Sequence, residues 1–143
     1  MYEIRTEVEI EATPEEVWAI LSDVDGWSSW NTTVHASSGQ FAQDAQMDIT
    51  MKNKKGDAGP HYKPMITTCT PPLKMRWRAK MMAGFIFTND KLIEISATES
   101  GCKATHSELF GGLMFKMMSG AMKTGVPPIL DAMNRDLKSK AES

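Results

Sequence analysis

The sequence has few of the features that mark a metal centre or a nucleic-acid interface. Its 143 residues contain 2 cysteines and 3 histidines, and none of them occurs at metal-ligand spacing, so we expect no metal site. Cys69 and Cys102 lie far apart in the chain, and we expect free thiols in a reducing compartment. The formal net charge is -2 at pH 7, which provides no positive patch for nucleic acid or for an anionic membrane.

Further absences narrow the class of protein. No stretch is long and apolar enough to cross a bilayer, and the N-terminus lacks the basic start and apolar core of a signal peptide. We therefore expect a soluble, cytoplasmic protein, with one domain over residues 1–143. The motifs G-x-S-x-G, P-loop and H-E-x-x-H are missing as well, so we expect no cofactor and assign no catalytic residue. The sequence does not determine the oligomeric state.

Methionine, by contrast, is abundant, with 12 residues in the chain. Its side chain is flexible and polarizable, so it fills irregular cavities and forms adaptable binding surfaces. A loosely specified core and a binding surface are both compatible with this number.

Apolar residues recur at helical spacing through residues 110–140, with charged residues mostly between them. The pattern predicts a long C-terminal helix with one apolar face. That face comprises Met114, Met117, Met118, Ala121, Met122, Ile129, Ala132, Met133 and Leu137. Proline lacks a backbone N–H and clashes with the preceding turn, so Pro127 and Pro128 predict a kink or break around residues 123–128. We expect a curved sheet to grip this helix.

The N-terminal segment predicts one strand followed by two short helices. The first ten residues alternate apolar and polar side chains, as in a strand with one wet face. Thr13 then offers an N-cap hydroxyl and Pro14 suits the first helical position, in a helix that should end near Ser22. The second short helix carries Trp27 and Trp30, which either anchor the packing or form the rim of a ligand entrance.

Strand-like segments fill the middle of the chain. They combine alternating polarity with flanking turn residues, at residues 34–38, 46–52, 62–70, 74–80, 85–97 and 102–110. Pro64 interrupts the third segment, which suggests an edge or a bulge there. The basic residues of the fourth segment should face solvent, because buried cations need partners. If Ala97 pairs with Cys102 across the last hairpin loop, Lys91 faces Glu108 on the inner surface, beside His106.

Five motifs follow one another along the chain, at residues 12–18, 27–31, 73–77, 105–113 and 132–138. Together with the order of elements, they resemble the START-like (SRPBCC) helix-grip superfamily, which includes the polyketide cyclase/dehydrase and lipid-transport family. The resemblance covers essentially the whole chain.

The resemblance implies an α+β helix-grip fold. In this fold a curved antiparallel sheet of about seven strands wraps around a long C-terminal helix, with two short helices after the first strand. A cavity between sheet and helix would hold an apolar or amphipathic small molecule. The superfamily hosts carriers, hormone receptors, cyclases and chaperone cofactors, so the fold alone leaves the activity open. Many relatives have a histidine at the position of Lys91, so this chain places a cation on the inner wall.

The predicted cavity wall combines apolar side chains with a few polar ones. Its predicted ligand-binding residues are Trp30, Met47, Met51, Met65, Trp77, Phe87, Lys91, Ile93, His106, Glu108, Phe110, Met114, Met117, Met118, Ala121 and Met122. Lys91 and Glu108 either neutralise each other beside a satisfied His106, or the three orient a carboxylate, carbonyl or phenol of a ligand. In a third interpretation His106 or Glu108 is a general acid or base.

These interpretations lead to three functional hypotheses. The favoured one is non-catalytic binding or transport of a small hydrophobic or amphipathic ligand, lipid- or polyketide-like. The first alternative is a cyclase or dehydratase that acts on an aromatic or polyketide-like substrate in the same cavity. The second alternative is a protein-interaction module with a collapsed cavity.

Overall fold

The computed structural model of the protein describes residues 2–81, 87–112 and 115–143, with the backbone alone at 81, 87, 115–119, 121 and 122. In chain order its elements are β1 (Tyr2–Ile10), α1 (Pro14–Ser22), a 3-10 helix (Val24–Ser29), β2 (Val34–Ser38), β3 (Asp48–Lys52), β4 (Ala58–Tyr62), β5 (Met65–Thr70), β6 (Lys74–Met81), β7 (Phe87–Thr98), β8 (Gly101–Gly111) and α2 (Phe115–Ala141). None of the helices in these ranges is long and apolar enough to cross a membrane.

The strands form two antiparallel sheets. The larger sheet has the strand order β1-β8-β7-β6-β5, and the smaller has the order β2-β3-β4. The helix α2 lies against β1 and β8 and also contacts α1. This is the predicted α+β helix-grip fold, in which a curved antiparallel sheet packs on the C-terminal helix. The described residues form eight strands in two sheets, however, and not about seven in one.

The single strand predicted at residues 62–70 is wrong, because this segment is two strands in different sheets. Tyr62 ends β4 in the smaller sheet, and Met65 begins β5 in the larger one. Pro64 lies between them and has no N–H to contribute to a ladder. Its carbonyl accepts a hydrogen bond from Met47 N at 2.8 Å. The proline therefore stands where the chain passes from one sheet to the other.

The first helix begins as predicted. The Oγ1 atom of Thr13 accepts from Glu16 N at 3.2 Å and donates to Glu16 Oε1 at 3.1 Å, which satisfies one of the free N–H groups of the first turn. Pro14 occupies the first position of the helix, where its missing N–H costs nothing. The helix ends at Ser22, and a 3-10 helix follows directly.

The β7–β8 hairpin has the predicted register. Ala97 lies opposite Cys102, and Lys91 lies opposite Glu108. His106 pairs with Ile93 on the same inner face. The register predicted from the hairpin loop therefore correctly identified the residues that meet on the concave side of the sheet.

The basic row of β6 lies on the outer face, as predicted, but two of its members are paired. Arg76 and Arg78 both bind Asp90 of the neighbouring strand, at 2.6 Å and 2.8 Å. Burial raises the pKa of Asp90, but hydrogen bonds from Arg78 and Arg76 outweigh it and hold this pKa below its usual value. Lys74 and Lys80 are exposed. The buried carboxylate thus has the cationic partners that it requires.

The helix α2 differs from the prediction in its start and in its buried face. Phe110 still belongs to β8, and the helix begins at Phe115. Ile129 was assigned to the buried face but is 40% exposed, whereas Leu130 is only 1% exposed. Met133, which was assigned correctly, is buried beside Leu130. Of the predicted face, Met114, Met117, Met118, Ala121 and Met122 lie outside the described side chains.

The predicted break in α2 is also wrong. The helix continues through Pro127 and Pro128 to Ala141. Residues 123–125, one turn before the prolines, are exposed, so water can hydrate the carbonyl groups that lose a helical N–H donor. A kink at this point stays a prediction.

Polar contacts fix the C-terminal half of α2 to the rest of the fold. Asp136 Oδ2 accepts from the backbone N–H and the hydroxyl of Thr32, at 2.9 Å and 2.7 Å. Lys138 Nζ donates to Glu9 O at 2.8 Å. Glu142 Oε2 accepts from Glu11 N at 2.8 Å. The end of the helix is thereby held against β1 and against the turn before β2.

Two neighbouring substitutions test the orientation of α2. Leu130→Ala should lower the free energy of unfolding by about 2–5 kcal/mol, because it empties a buried site. Ile129→Ala, the matched control, should lower it by about 0.5 kcal/mol or less, since this side chain is largely in solvent. Urea denaturation of both variants measures the difference. Equal losses would show that the buried face of the helix is assigned wrongly.

Candidate functional site

A small cavity lies between the inner faces of the sheets and α2, where the sequence predicted the pocket. Its volume is about 30 Å³, whereas one ordered water needs about 10–15 Å³ and pockets for drug-sized ligands begin near 300 Å³. Its described lining residues are Leu21, Trp27, Trp30, Asn31, Val34, Ile49, Met51, Tyr62, Trp77, Lys91, Ile93, Ala104, Thr105, His106, Met133, Asn134 and Leu137. The cavity is therefore nearly closed in this structure.

Only part of the predicted wall lines this cavity. The residues that do are Trp30, Met51, Trp77, Lys91, Ile93 and His106. Glu108 lies behind Lys91 and binds its ammonium group. Phe87, Met114, Met117, Met118, Ala121 and Met122 lie outside the described side chains.

Met47, Met65 and Phe110 occupy other positions. Met65 is 45% exposed, because the alternation of β5 turns the following residue, Ile66, into the core instead. Met47 is buried in the main core without lining the cavity. Phe110 packs in a separate cluster with Ile4 and Leu130. For all three residues, the sequence did not predict which side chains are their neighbours.

Several lining residues were missed by the sequence analysis as members of the wall. Asn31 and Asn134 are polar and far apart in the chain, so no local pattern connects them. Tyr62 was placed at the start of a strand but not on the wall. Met133 and Leu137 belong to the predicted apolar face of the helix. That pattern could have placed them on the cavity wall.

The buried ammonium group of Lys91 is the centre of a polar cluster in the cavity wall. Lys91 is 3% exposed, and its Nζ lies 2.9 Å from Glu108 Oε1 and 2.7 Å from His106 Nε2. Asn89 Nδ2 donates to the second oxygen of Glu108 at 2.7 Å. Buried charges are tolerated when such partners compensate for the lost water. Among the described residues, this cluster included, no group of three His, Cys, Asp or Glu side chains could hold a metal ion.

His106 is neutral in this environment. Burial and the neighbouring charge of Lys91 lower the pKa of His106 well below its usual value, although a hydrogen bond with Asn134 acts in the opposite direction. An ammonium group has no lone pair, so His106 Nε2 must be the acceptor of the Lys91 hydrogen bond. A histidine in this state is a poor proton donor, and the lone pair that a general base would use is already engaged.

Aromatic rings form the opposite side of the cluster. The centroid of Trp77 lies 6.0 Å from that of Trp27 and 6.3 Å from that of Tyr62. Lys91 Nζ lies 5.4 Å from the Trp77 centroid, within the range of a cation–π contact. Burial, and secondarily the negative charge of Glu108, raise the pKa of Tyr62 above its usual value. The tyrosine is therefore a neutral hydroxyl donor.

Comparison with known proteins identifies the family. A sequence model of the family described as polyketide cyclase / dehydrase and lipid transport matches residues 1–142. The chain belongs to this family. The match confirms the resemblance inferred from the sequence motifs. No curated protein sequence matches the chain.

Solved structures share the fold of this family member at low sequence identity. A protein from Nitrosomonas europaea is 13% identical with a TM-score of 0.71, and the match covers 96% of this chain and 95% of that one. A Rhodobacter sphaeroides protein is 10% identical with a TM-score of 0.77, over 96% and 90% of the chains. StfQ, a di-domain ARO/CYC protein of the steffimycin biosynthetic pathway, is 12% identical with a TM-score of 0.76, over 98% and 50%.

The neutral state of His106 predicts a loss of stability in mild acid. The unfolded chain gains a proton at His106 near pH 6.5, whereas the folded protein gains it only at lower pH. Above pH 6.5 this titration has no effect on stability. As the pH falls from there towards the folded pKa, the free energy of unfolding should fall by up to about 1.4 kcal/mol per pH unit.

Urea denaturation between pH 7 and pH 5 tests this expectation, with His106→Gln as the comparison. The variant keeps a polar side chain but does not titrate in this range, so its stability should depend less on pH. Identical pH dependence in both proteins would contradict a depressed pKa at His106.

Proposed function

We propose that the protein binds a small hydrophobic or amphipathic molecule in the cavity between the large sheet and α2. The observation that supports this proposal most is the buried ammonium group of Lys91 in an otherwise largely apolar wall. Ligand sites of this kind consist of an apolar pocket with a few polar groups that orient the ligand. Lys91, with Glu108 and His106 behind it, supplies such a group.

A purely structural role explains this cluster less well. Taking a lysine and a glutamate out of water costs several kcal/mol for each ion, and well-packed apolar residues are often as stable in the same place. The fold would thus be expected to tolerate methionine or leucine at these positions. A requirement for a charged contact with a ligand explains why a lysine stands there.

Binding requires the cavity to enlarge. The described wall includes Met51 and Met133, whose unbranched side chains change rotamer readily. Burial of apolar ligand surface would then favour binding by roughly 25 cal/mol per Å² before ordering costs.

A second candidate function is that of a cyclase or dehydratase with the same cavity. The ammonium group of Lys91 favours it, because a buried positive charge can stabilise an enolate or oxyanion that develops during the reaction. StfQ is a di-domain ARO/CYC protein, and BexL, with a TM-score of 0.75 and 12% identity over 50% of its chain, is another. His106 would contribute little as a base while its Nε2 lone pair accepts the hydrogen bond from Lys91. Loss of turnover with retained binding in Lys91→Met would identify the enzyme.

Native mass spectrometry of the protein purified from its own host tests ligand binding. The wild type should carry a small molecule, and the double variant Lys91→Met/Glu108→Gln, which leaves neither charge buried alone, should carry less of it because the orienting charge is gone. Lys103→Met is the matched control, since Lys103 is 41% exposed on its side chain and pairs with Glu7 outside the cavity. It should retain the molecule at the wild-type level.

A complementary titration uses a panel of fluorescent fatty acids and flavonoids. If the purified protein is bare and the whole panel fails to bind, the ligand-binding proposal is wrong. That outcome would favour the protein-interaction module, in agreement with the small volume of the cavity.

A further inference from the structure

Three hydrogen-bond donors of the cavity wall have either no acceptor or only a weak one. Trp77 is 1% exposed, and its Nε1 has no hydrogen-bond partner in the part of the chain that the structure describes. Tyr62 donates its hydroxyl hydrogen to a thioether, Met51 Sδ, at 3.7 Å. Lys91 has three N–H bonds, of which one is directed to Met133 Sδ at 3.7 Å. Thioether sulfur is a weak acceptor, and an unpaired buried donor is costly.

Three acceptor groups beside the cavity, by contrast, are engaged. Glu108 accepts through both carboxylate oxygens, from Lys91 and from Asn89. Asn31 Oδ1 accepts twice, from Thr33 N at 3.0 Å and from Thr33 Oγ1 at 2.6 Å. His106 Nε2 accepts from Lys91 at 2.7 Å. The wall therefore has donors available for a ligand, whereas these acceptors already have protein partners.

The residues that carry the three donors lie close to one another. All of them line the same cavity. The ammonium nitrogen of Lys91 is 5.4 Å from the centre of the Trp77 ring, and the Tyr62 ring is 6.3 Å from it. A carbonyl oxygen has two lone pairs and accepts from two donors at once.

We propose that the cavity selects ligands with an oxygen acceptor, such as a carbonyl, a carboxylate or a phenolate, and that Trp77 donates to it together with Lys91 or Tyr62. This inference rests on the proposed function and makes it more specific. Trp77 then determines specificity through its N–H as well as providing apolar surface. A pure hydrocarbon leaves the donors unpaired, and a ligand with only donors adds to their excess.

Three bicyclic molecules of similar size test the proposal. Indane is apolar, 1-indanone carries a hydrogen-bond acceptor, and indole carries a hydrogen-bond donor. Calorimetric titration of the wild type should show that 1-indanone binds about tenfold more tightly than either of the others, as expected for one or two hydrogen bonds. In the variant Trp77→Phe, the preference for 1-indanone over indane should fall by about three- to tenfold. In Trp18→Phe it should stay unchanged, because Trp18 is buried in the main core and is not among the residues that line the cavity.

A measurement on the wild type keeps the test independent of how well the variants fold. In ¹H–¹⁵N spectra, the indole N–H signal of Trp77 should move downfield with 1-indanone and much less with indane. Equal affinities for indane and 1-indanone, or an unmoved Trp77 signal with bound 1-indanone, would overturn the inference and leave the proposed function standing. If none of the three molecules binds, the proposed function fails and the inference fails with it.

Discussion

The ion pair between Lys91 and Glu108, buried on the concave face of the large sheet, is the constraint on which the site depends. Neither charge is stable there alone, so the neighbours of both are restricted. Asn89 completes the hydrogen bonds of the carboxylate, and His106 accepts from the ammonium group in its neutral form. The register of β7 and β8 places all of these side chains on one surface.

The same cluster connects the sheet with the helix. Asn134 of α2 donates to Thr6 Oγ1 of β1 at 2.7 Å, and the same Thr6 hydroxyl donates to the carbonyl of His106. The helix is thus held in position by polar groups next to the cavity as well as by Leu130 and Leu137 in the apolar core. A ligand that engaged Lys91 would act on groups that contact sheet and helix together.

Local rules predicted the scaffold of this site from the sequence. Alternation in β7 and β8, together with the length of their loop, was sufficient to place Lys91 opposite Glu108. Capping chemistry at Thr13 located the first helix. These features depend on neighbours in the chain or on one hairpin, so the sequence contains the necessary information.

Features that depend on distant packing were not predicted. The chain passes from one sheet to the other at Pro64, where the sequence predicted only an edge or a bulge within one strand. Asn31 and Asn134 lie on the wall because the fold brings the turn before β2 next to α2. The cavity volume depends on how the side chains of Met51, Trp77 and Met133 pack together, which no pattern of polarity determines. The sequence rule that proline ends a helix failed at Pro127 and Pro128, through which α2 continues to Ala141.

The central claim is that the Lys91–Glu108 pair is retained for ligand recognition and not for stability. The double variant Lys91→Met/Glu108→Gln removes both charges but keeps an acceptor for Asn89, so its free energy of unfolding should stay within about 1 kcal/mol of the wild type or exceed it. Its affinity for 1-indanone should fall about tenfold or more, because the charged donor is gone. A loss of about 3 kcal/mol or more in stability with unchanged affinity would contradict the claim and make the pair a structural one.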